Sequence, residues 1–300
     1  MIRAIDESPT INSPRRDSES VHPKTVLITG CSSGIGRATA LAFLEEDWRV
    51  YATARNPADI ETLGEKGCEL ATLDVTDGDD VERVIDRIIE EEGHLTCVVN
   101  NAGYGQFGPL EDVPTEQVHR QFDVNVYGPH RLIRAALPHM RRQGDGTIVN
   151  VSSVAGQISF PGGGVYSGSK FALGAMTDAL RNEVSEYGVD AVLVEPGPVA
   201  TNFTERVEAE VEGSEELPGV ERSGAYESFY ELLSDTQLLG GGGPAAISPE
   251  RVAEDIVDAA SSTKPRARYY PGTPARIAAL ARFLPNSWVD TAYSYLRKLA

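Results

Sequence analysis

The chain is poor in basic residues, and in lysine above all. Its 300 residues include 27 lysines and arginines against 45 aspartates and glutamates, a formal net charge of −18. Nucleic-acid phosphates bind basic surfaces, so this balance argues against a nucleic-acid partner. An acidic, lysine-poor surface is what a protein working in high salt would carry, because screening there weakens self-repulsion. The alternative is an ordinary acidic cytosolic protein. The lysines are Lys24, Lys66, Lys170, Lys264 and Lys298.

Long hydrophobic runs and paired cysteines are also missing. No stretch approaches the roughly 18 apolar residues of a membrane-spanning helix, and the first twenty residues lack the apolar run of a signal peptide. We therefore expect a soluble, cytoplasmic protein. The three cysteines, Cys31, Cys68 and Cys97, are far apart and lack the spacing of a metal or redox motif. We expect no metal site and expect the cysteines to be buried as small apolar residues.

Strand and helix patterns alternate from residue 24 to residue 201. This alternation predicts an α/β fold with a doubly wound parallel sheet of the Rossmann type, whose ligands bind at the carboxyl ends of the strands. We predict one such domain over 24-272, after a disordered arm over 1-23 that lacks apolar periodicity. The predicted strands are 24–29, 49–54, 69–73, 95–99, 146–151, 189–194 and 268–270, and the longest predicted helices are 115–142 and 164–187.

Two segments depart from the alternation. The stretch 202-247 is acidic, contains Phe203, Tyr226, Phe229 and Tyr230, and runs into four consecutive glycines. This composition predicts a substrate lid, with a solvated insertion without function as the alternative. The tail over 273-300 is predicted to be an amphipathic helical extension buried against its own domain. The alternatives are a cover for the cleft, a subunit contact, or peripheral contact with a membrane surface.

A glycine-rich turn joins the first predicted strand to the first predicted helix. Such a turn lets the backbone approach a pyrophosphate, whose charge is met by free N–H groups at the helix start. An ordinary tight turn is the alternative, but the strand–turn–helix setting favours dinucleotide binding. The predicted contacts are Gly30, Ser32, Ser33, Gly34, Ile35 and Gly36.

The end of the second predicted strand indicates which dinucleotide fits. An acidic residue there would bind the ribose 2′-hydroxyl of NAD, whereas an arginine would pair with the 2′-phosphate of NADP. The sequence has Arg55 and no acidic residue between Tyr51 and Pro57. NADP is therefore favoured, NAD stays possible, and a solvated loop arginine is the alternative for Arg55.

The next two strands end in further candidate contacts. Asp74 and Val75 follow the third strand, where an adenine edge would lie. Asn101, Ala102 and Gly103 follow the fourth, where small residues would let the backbone pass close to a cofactor; an ordinary turn is the alternative.

A polar residue also stands inside the predicted helix 115–142. Asn125 is locally unfavourable there, which indicates a specific role. Pro129 and Pro138 remove backbone donors, so we expect the helix to kink.

Tyr166 and Lys170 lie four residues apart on a predicted helix, and therefore on one face. A lysine one turn away would favour the phenolate and lower the tyrosine pKa from about 10, allowing proton exchange near neutrality. Ser153, at the end of the fifth strand, would offer a second hydroxyl to the same substrate oxygen. In isolation the pair is more often a packing residue and a solvated charge.

Together these motifs resemble the short-chain dehydrogenase/reductase family. The matching residues run in order from Thr29-Gly-x-x-x-Gly-x-Gly36 through Asp74 and Asn100-Asn-Ala-Gly103 to Tyr-x-x-x-Lys170 and Pro196-Gly197. The resemblance implies homodimers or homotetramers, and its nearest subgroup, the hydroxysteroid and retinol dehydrogenases, implies NADP and lipophilic substrates. It also implies four catalytic residues, Asn125, Ser153, Tyr166 and Lys170, and cofactor contacts that include Tyr166, Lys170, Pro196, Gly197, Val199 and Thr201.

These observations favour an NADP-dependent oxidoreductase that interconverts a secondary alcohol and a carbonyl on a small-molecule substrate. Two other functions stay open. One is a dinucleotide-binding sensor or scaffold without catalysis, against which the intact Ser153, Tyr166 and Lys170 argue. The other is a sugar-nucleotide epimerase or dehydratase, whose relatives space the glycines differently.

Overall fold

A computed structural model describes residues 23–201, 222–227, 230, 246–285, 287–291 and 294. Nearly all of the predicted arm 1-23 and most of the predicted lid 202-247, including Phe203 and Phe229, lie outside these residues. The same holds for the last residues of the tail.

Within the described residues, seven strands form one sheet in the order β3-β2-β1-β4-β5-β6-β7. Every neighbouring pair is parallel. The order reverses between β1 and β4, which places a crevice at the carboxyl ends of these strands, where ligands of such sheets bind. The predicted Rossmann-type α/β fold is confirmed. The strands are β1 Thr25–Ile28, β2 Arg49–Ala54, β3 Glu69–Thr72, β4 Cys97–Asn100, β5 Gly146–Val151, β6 Val189–Val194 and β7 Arg268–Tyr269.

Helices cover both faces of the sheet because successive strand residues point to opposite sides. On β1, Val26 and Ile28 pack with the helices 34–45 and 249–261, whereas Leu27 packs with the helices 78–92, 128–143 and 164–184. The three cysteines are free and buried, as predicted. The helices are α1 Gly34–Glu45, α2 Glu61–Gly64, α3 Gly78–Glu92, α4 Thr115–Phe122, α5 Gly128–Gln143, α6 Gly164–Val184, α7 Pro249–Ser261 and α8 Gly272–Ala281.

The predicted helix 115–142 is helical throughout but changes its hydrogen-bond register in the middle. A π-helical turn, Asp123–Tyr127, separates α4 from α5. The turn ends two residues before Pro129, which lies in the first turn of α5, and Pro138 lies inside that helix. Pro129 has no N–H, so it cannot donate the α-helical bond to the carbonyl four residues earlier, that of Asn125.

The tail also differs from its prediction. In α8 the buried residues include Ala275 and Ala279, while the large apolar side chains of the segment are exposed. Burial against its own domain is therefore wrong for those large side chains. None of the described helices has the length and hydropathy needed to cross a bilayer.

Candidate active site

The glycine turn lies between β1 and α1, and its geometry requires glycine. Gly30 has a φ of +73° and Gly34 a φ of +54°, which side chains rarely tolerate. A Cβ on Gly36 would collide with the Gly30 carbonyl oxygen and with Nδ2 of Asn101. Ser33 is the N-cap of α1 but makes no side-chain capping bond, so its hydroxyl leaves the first-turn N–H groups to another partner. This cradle fits the pyrophosphate of a dinucleotide.

Thr29, at the end of β1, fixes the loop after β4 against this turn. Its Oγ1 accepts hydrogen bonds from the backbone N–H groups of Asn101 at 3.0 Å and Ala102 at 2.9 Å. In return, Asn101 Nδ2 donates to the carbonyl oxygens of Thr29 at 2.8 Å and Gly30 at 3.1 Å. The sequence motif included Thr29 but predicted no role for it. A threonine at the end of a buried strand was the one sequence feature that indicated a hydrogen-bonding role.

Asn125 connects the loop after β4 to α6. Its Oδ1 accepts from the Tyr104 backbone N–H at 3.2 Å, and its Nδ2 donates to the Tyr104 carbonyl at 2.9 Å. The same Nδ2 donates to Ser169 Oγ at 3.2 Å, and Ser169 donates to the Tyr166 carbonyl at 2.7 Å. Gln121, which the sequence did not single out, also donates to the Tyr104 carbonyl at 2.8 Å. Asn125 therefore holds two elements of the site in place.

Ser153, Tyr166 and Lys170 come together where β5 ends and α6 begins. Ser153 caps the short 3₁₀ turn Val154–Gly156 and forms a side-chain hydrogen bond with Tyr166. The Lys170 ammonium lies 5.8 Å from the centroid of the Tyr166 ring and donates to the Val151 carbonyl at 3.0 Å. The predicted cluster of one serine, one tyrosine and one lysine is thus present as a contiguous group.

The charge states within this cluster differ from the prediction. Burial raises the pKa of Tyr166 to about 12, against the smaller opposing effect of the hydrogen bond with Ser153. Burial lowers the pKa of Lys170 to about 8. The expectation that Lys170 lowers the tyrosine pKa is wrong here, because removal from water disfavours both charged forms.

An aromatic wall surrounds Tyr166. Phe107 lies 5.3 Å from Tyr166 and 6.1 Å from Phe160, measured between ring centroids. Two tyrosines of the predicted lid belong to the same cluster. Tyr230 donates to Asp112 at 2.9 Å, and Tyr226 donates to Glu111 at 2.6 Å. Sequence reasoning missed Phe107 and Phe160, since isolated aromatics in glycine-rich loops carry no periodic signal.

The candidate adenosine contacts end two adjacent strands. Arg55 follows β2 directly and is exposed, with no hydrogen bond or ion pair among the described residues. After β3, Asp74 Oδ1 accepts from both the backbone N–H and the hydroxyl of Thr76, at 2.9 and 2.8 Å. Val75 is buried, and its carbonyl accepts from Arg131 at 3.2 Å.

The loop after β6 closes the other side of the crevice. A Cβ built on Gly34 would lie 3.0 Å from Thr201 Cγ2, so this loop approaches the glycine turn. Val199 pairs with Ile247 in an isolated parallel bridge. Pro196 and Gly197 start the loop, and Gly197 packs against the first turn of α8.

The glycine turn thus lies on one side of the crevice at the carboxyl ends of the strands. The hydroxyl and amine groups of Ser153, Tyr166 and Lys170 lie on the other side. A cradle for a dinucleotide beside groups able to exchange a proton with an alcohol defines an oxidoreductase site. Among the described residues, no group of three or more histidines, cysteines and acidic residues is placed to hold a metal ion.

The chain belongs to the short chain dehydrogenase family, whose model matches residues 24–212. It is 37% identical over 273 residues to the uncharacterized oxidoreductase YbbO of Escherichia coli K12, covering 90% of this chain and 94% of that protein. It is 35% identical to human 17-beta-hydroxysteroid dehydrogenase type 1, covering 87% and 78% of the two chains. With human retinol dehydrogenase 8 the identity is 36%, covering 82% and 80%. The protein is an oxidoreductase of this family.

Solved structures agree with this assignment. A short-chain dehydrogenase from Streptomyces avermitilis superposes with a TM-score of 0.75 at 31% identity, covering 94% of this chain and 98% of that one. ElxO with NADP bound gives 0.66 at 27% identity, covering 83% and 97%. A Burkholderia phymatum short-chain dehydrogenase/reductase in complex with NAD gives 0.71 at 29% identity, covering 87% and 92%.

Proposed function

We propose that the protein is an NADP-dependent oxidoreductase that interconverts a secondary alcohol and a ketone or aldehyde on a lipophilic substrate. The observation that carries this proposal is the contact between Ser153 and Tyr166, with the buried Lys170 ammonium 5.8 Å from the tyrosine ring. Two hydroxyls and one amine in a partly enclosed site suit proton exchange with a single substrate oxygen.

Tyr166 is the proposed general acid–base. A pKa of about 12 keeps its phenol protonated at neutral pH, so the side chain is ready to donate a proton to a carbonyl oxygen undergoing reduction. Ser153 would hydrogen-bond the same oxygen and orient it. In the opposite direction the Tyr166 phenol would first lose its own proton, and the resulting phenolate, which the neighbouring Lys170 ammonium would stabilise, would accept the proton of the alcohol.

Lys170 and Asn125 support this role. Lys170 is buried, and its ammonium is anchored on the Val151 carbonyl beside the tyrosine. In this role it would bind the nicotinamide ribose. The Asn125 carbonyl has no α-helical partner because residue 129 is a proline, which leaves it available to a water molecule in a proton relay.

The proposed cofactor is NADP. When bound, it supplies the hydride, and the chain supplies binding, orientation and the proton. The residues that would hold it are the glycine turn from Gly30 to Gly36, the ends of β3 and β4, and the loop from Pro196 to Thr201. Arg55, exposed at the end of β2, would bind the 2′-phosphate. ElxO, with NADP bound, supports this choice, although the Burkholderia relative holds NAD.

The lipophilic substrate class is supported by the aromatic wall of Phe107, Phe160 and Tyr166. Aromatic side chains bind apolar ligands through large contact area, with few polar groups fixing orientation. The similarity to a hydroxysteroid dehydrogenase and a retinol dehydrogenase points in the same direction.

The test is Tyr166→Phe, assayed with NADPH and a panel of ketones of increasing apolar size. We expect turnover to fall by about 10²–10⁴-fold while NADPH affinity, followed by fluorescence titration, stays nearly constant. Tyr187→Phe is the matched control, because it removes an exposed phenol in the turn that follows α6. Near-normal turnover of the Tyr166→Phe variant would exclude the proton-transfer role.

A further inference from the structure

The segment that includes α8 exposes an unusual face. Five of the nine large apolar side chains that are exposed among the described residues lie within its twelve residues 277–288. We call this set the tail patch. It consists of Ile277 (64% exposed), Leu280 (67%), Phe283 (77%), Leu284 (45%) and Trp288 (66%).

The orientation of α8 is the reverse of that of an ordinary surface helix. Such a helix buries its large apolar residues and exposes polar ones. Here the small residues Ala275 and Ala279 are buried, and Ile277 and Leu280 point outward. A contiguous exposed apolar patch marks an interaction site rather than an ordinary surface.

The charge of this segment is opposite to that of the rest of the protein. Residues 273–300 carry four basic residues, Arg276, Arg282, Arg297 and Lys298, and one acidic residue, Asp290. The segment therefore has a net charge of +3 within a chain of −18, which leaves −21 on the preceding 272 residues. Arg276 is exposed, with no partner among the described residues, beside the tail patch.

We propose that the tail patch docks on the surface of an anionic lipid bilayer, with α8 lying in the plane of the interface. An apolar face carrying aromatic residues, flanked by arginines, is the pattern of an interfacial helix. Anionic lipids attract nearby basic residues, whereas the acidic remainder of the molecule is repelled by the same surface. Only the basic edge then approaches the bilayer, which fixes the orientation of the protein.

A second copy of the chain fits this face less well. Self-association through the tail patch would bring two segments of net charge +3 together. Like charges across an interface oppose association, whereas an anionic bilayer offers both a complementary charge and an apolar layer. Docking on an anionic bilayer therefore both buries the exposed apolar side chains and pairs the positive charge of the segment with negative charge.

The docking face lies beside the candidate active site. A Cβ built on Gly197 would lie 3.4 Å from the Ala275 nitrogen, so α8 packs on the loop after β6. Arg282 donates to Gln157 Oε1 at 2.8 Å, four residues beyond Ser153. Docking would bring both loops close to the bilayer, where a lipophilic substrate dissolves. This consequence rests on the proposed function, whereas the docking itself does not.

The test uses the full chain and vesicles of phosphatidylcholine alone or of equimolar phosphatidylcholine and phosphatidylglycerol. We expect co-sedimentation with the anionic vesicles and a blue shift of Trp288 fluorescence, since the other tryptophan, Trp48, is 4% exposed. The double variant Leu280→Ser, Phe283→Ser should lower binding by at least about tenfold. Arg276→Gln should lower it about fivefold on anionic vesicles only.

Leu110→Ser is the matched control, because Leu110 is 70% exposed and lies in the loop between β4 and α4 rather than in the tail patch. It should leave vesicle binding unchanged, and circular dichroism should show that every variant is folded. Equal binding of the wild type and the double variant would overturn the proposal, as would no binding by the wild type. A dimer that dissociates in the double variant, without vesicle binding by the wild type, would assign the face to a second copy. None of these readouts depends on catalysis.

Discussion

At the scale of single residues, burial decides the chemistry of the Tyr166–Lys170 pair. Both side chains are held in a site that disfavours charge, so the pKa of the tyrosine lies at about 12 and that of the lysine at about 8. Near neutral pH the tyrosine is then a neutral phenol and the lysine a cation close to its titration point. The protein therefore sets the two charge states through enclosure more than through mutual attraction.

The lowered pKa of Lys170 makes a prediction about stability. Between pH about 8 and about 10.4 the unfolded chain keeps the Lys170 proton and the folded chain does not. The unfolded state then binds more protons, so the contribution of Lys170 to stability rises with pH. We expect the wild type to gain up to about 3 kcal/mol over Lys170→Met across this interval. Urea denaturation at a series of pH values measures it.

This prediction concerns how the difference in unfolding free energy between the two proteins changes with pH, and not the size of that difference at any one pH. Lys170→Met also removes the bond to the Val151 carbonyl, which lowers stability at every pH. Lys66→Met, at an exposed lysine, controls for the loss of a positive charge. Parallel curves for the wild type and Lys170→Met would contradict the lowered pKa.

Arg55 carries the prediction about cofactor choice. At about 0.1 M salt the Debye length is about 10 Å, so the net charge of −18 matters less than contacts within hydrogen-bond range. A hydrogen bond between charged groups is worth roughly 1.5–3 kcal/mol, or about ten- to a hundredfold. Arg55→Ala should raise the Michaelis constant for NADPH by about this factor and leave that for NADH almost unchanged.

Steady-state kinetics with both cofactors make this comparison. Arg134→Ala, at an exposed arginine of α5, is the matched control and should change neither constant. If Arg55→Ala weakens both cofactors equally, or if the parent enzyme prefers NADH, Arg55 is a solvated loop residue.

At the scale of elements, a buried charge network holds the end of β6. Glu195, which is fully buried, accepts from Arg268 of β7 at 3.0 and 2.8 Å and from Gln157 at 2.6 Å. Arg268 also pairs with Asp178 of α6. Glu195 directly precedes Pro196, so the network ties the start of the loop after β6 to β7, to α6 and to the turn after Ser153.

Arg268→Met should therefore destabilise the protein strongly. Removing Arg268 leaves the buried Glu195 carboxylate without a positive counter-charge, which costs about 3–5 kcal/mol in comparable cases. Chemical denaturation measures the change. Arg83→Met removes an exposed ion pair with Asp80 and should cost no more than about 1 kcal/mol. If Arg268→Met and Arg83→Met lower the free energy of unfolding by similar amounts, the buried ion pair of Glu195 stabilises the protein no more than an exposed pair does.

The π-helical turn is the second feature at this scale. It carries Asn125 between α4 and α5, and Gly128 donates to the carbonyl five residues back, at Asp123. Insertions of this kind recur at functional sites. The apolar spacing of 115–142 predicted a helix correctly, but that spacing does not indicate where the register of its hydrogen bonds changes.

At the scale of the whole molecule, the excess of acidic residues predicts a dependence on salt. A net charge of −18 produces self-repulsion, which is strongest in the compact state and which screening reduces. We expect the melting temperature to rise between low and molar KCl. Thermal melts followed by circular dichroism test this. Equal melting temperatures at the two concentrations would indicate an ordinary acidic protein.

Several parts of this molecule could be predicted from local pattern. The strands over 49–54, 146–151 and 189–194 begin and end as expected, because runs of apolar and β-branched residues there are bounded by glycine and polar residues. The glycine turn could be predicted in the same way. Gly30 has a positive φ, and a Cβ on Gly36 would collide with the backbone, so both positions require glycine. The cap of α7 by Ser248 before Pro249 also follows from local chemistry.

The sequence by itself determined the order of elements, the parallel sheet and the residue types at the strand ends, because these depend on periodicity and backbone conformation. Only the tertiary structure decided the rest. Asn125 binds Tyr104 across 21 residues of chain, Tyr166 has a raised rather than a lowered pKa, and α8 turns its larger side chains outward. Each of these three findings depends on which groups are excluded from water and on which residues pack against them. Residues distant in the sequence determine both, so a local sequence pattern cannot predict them.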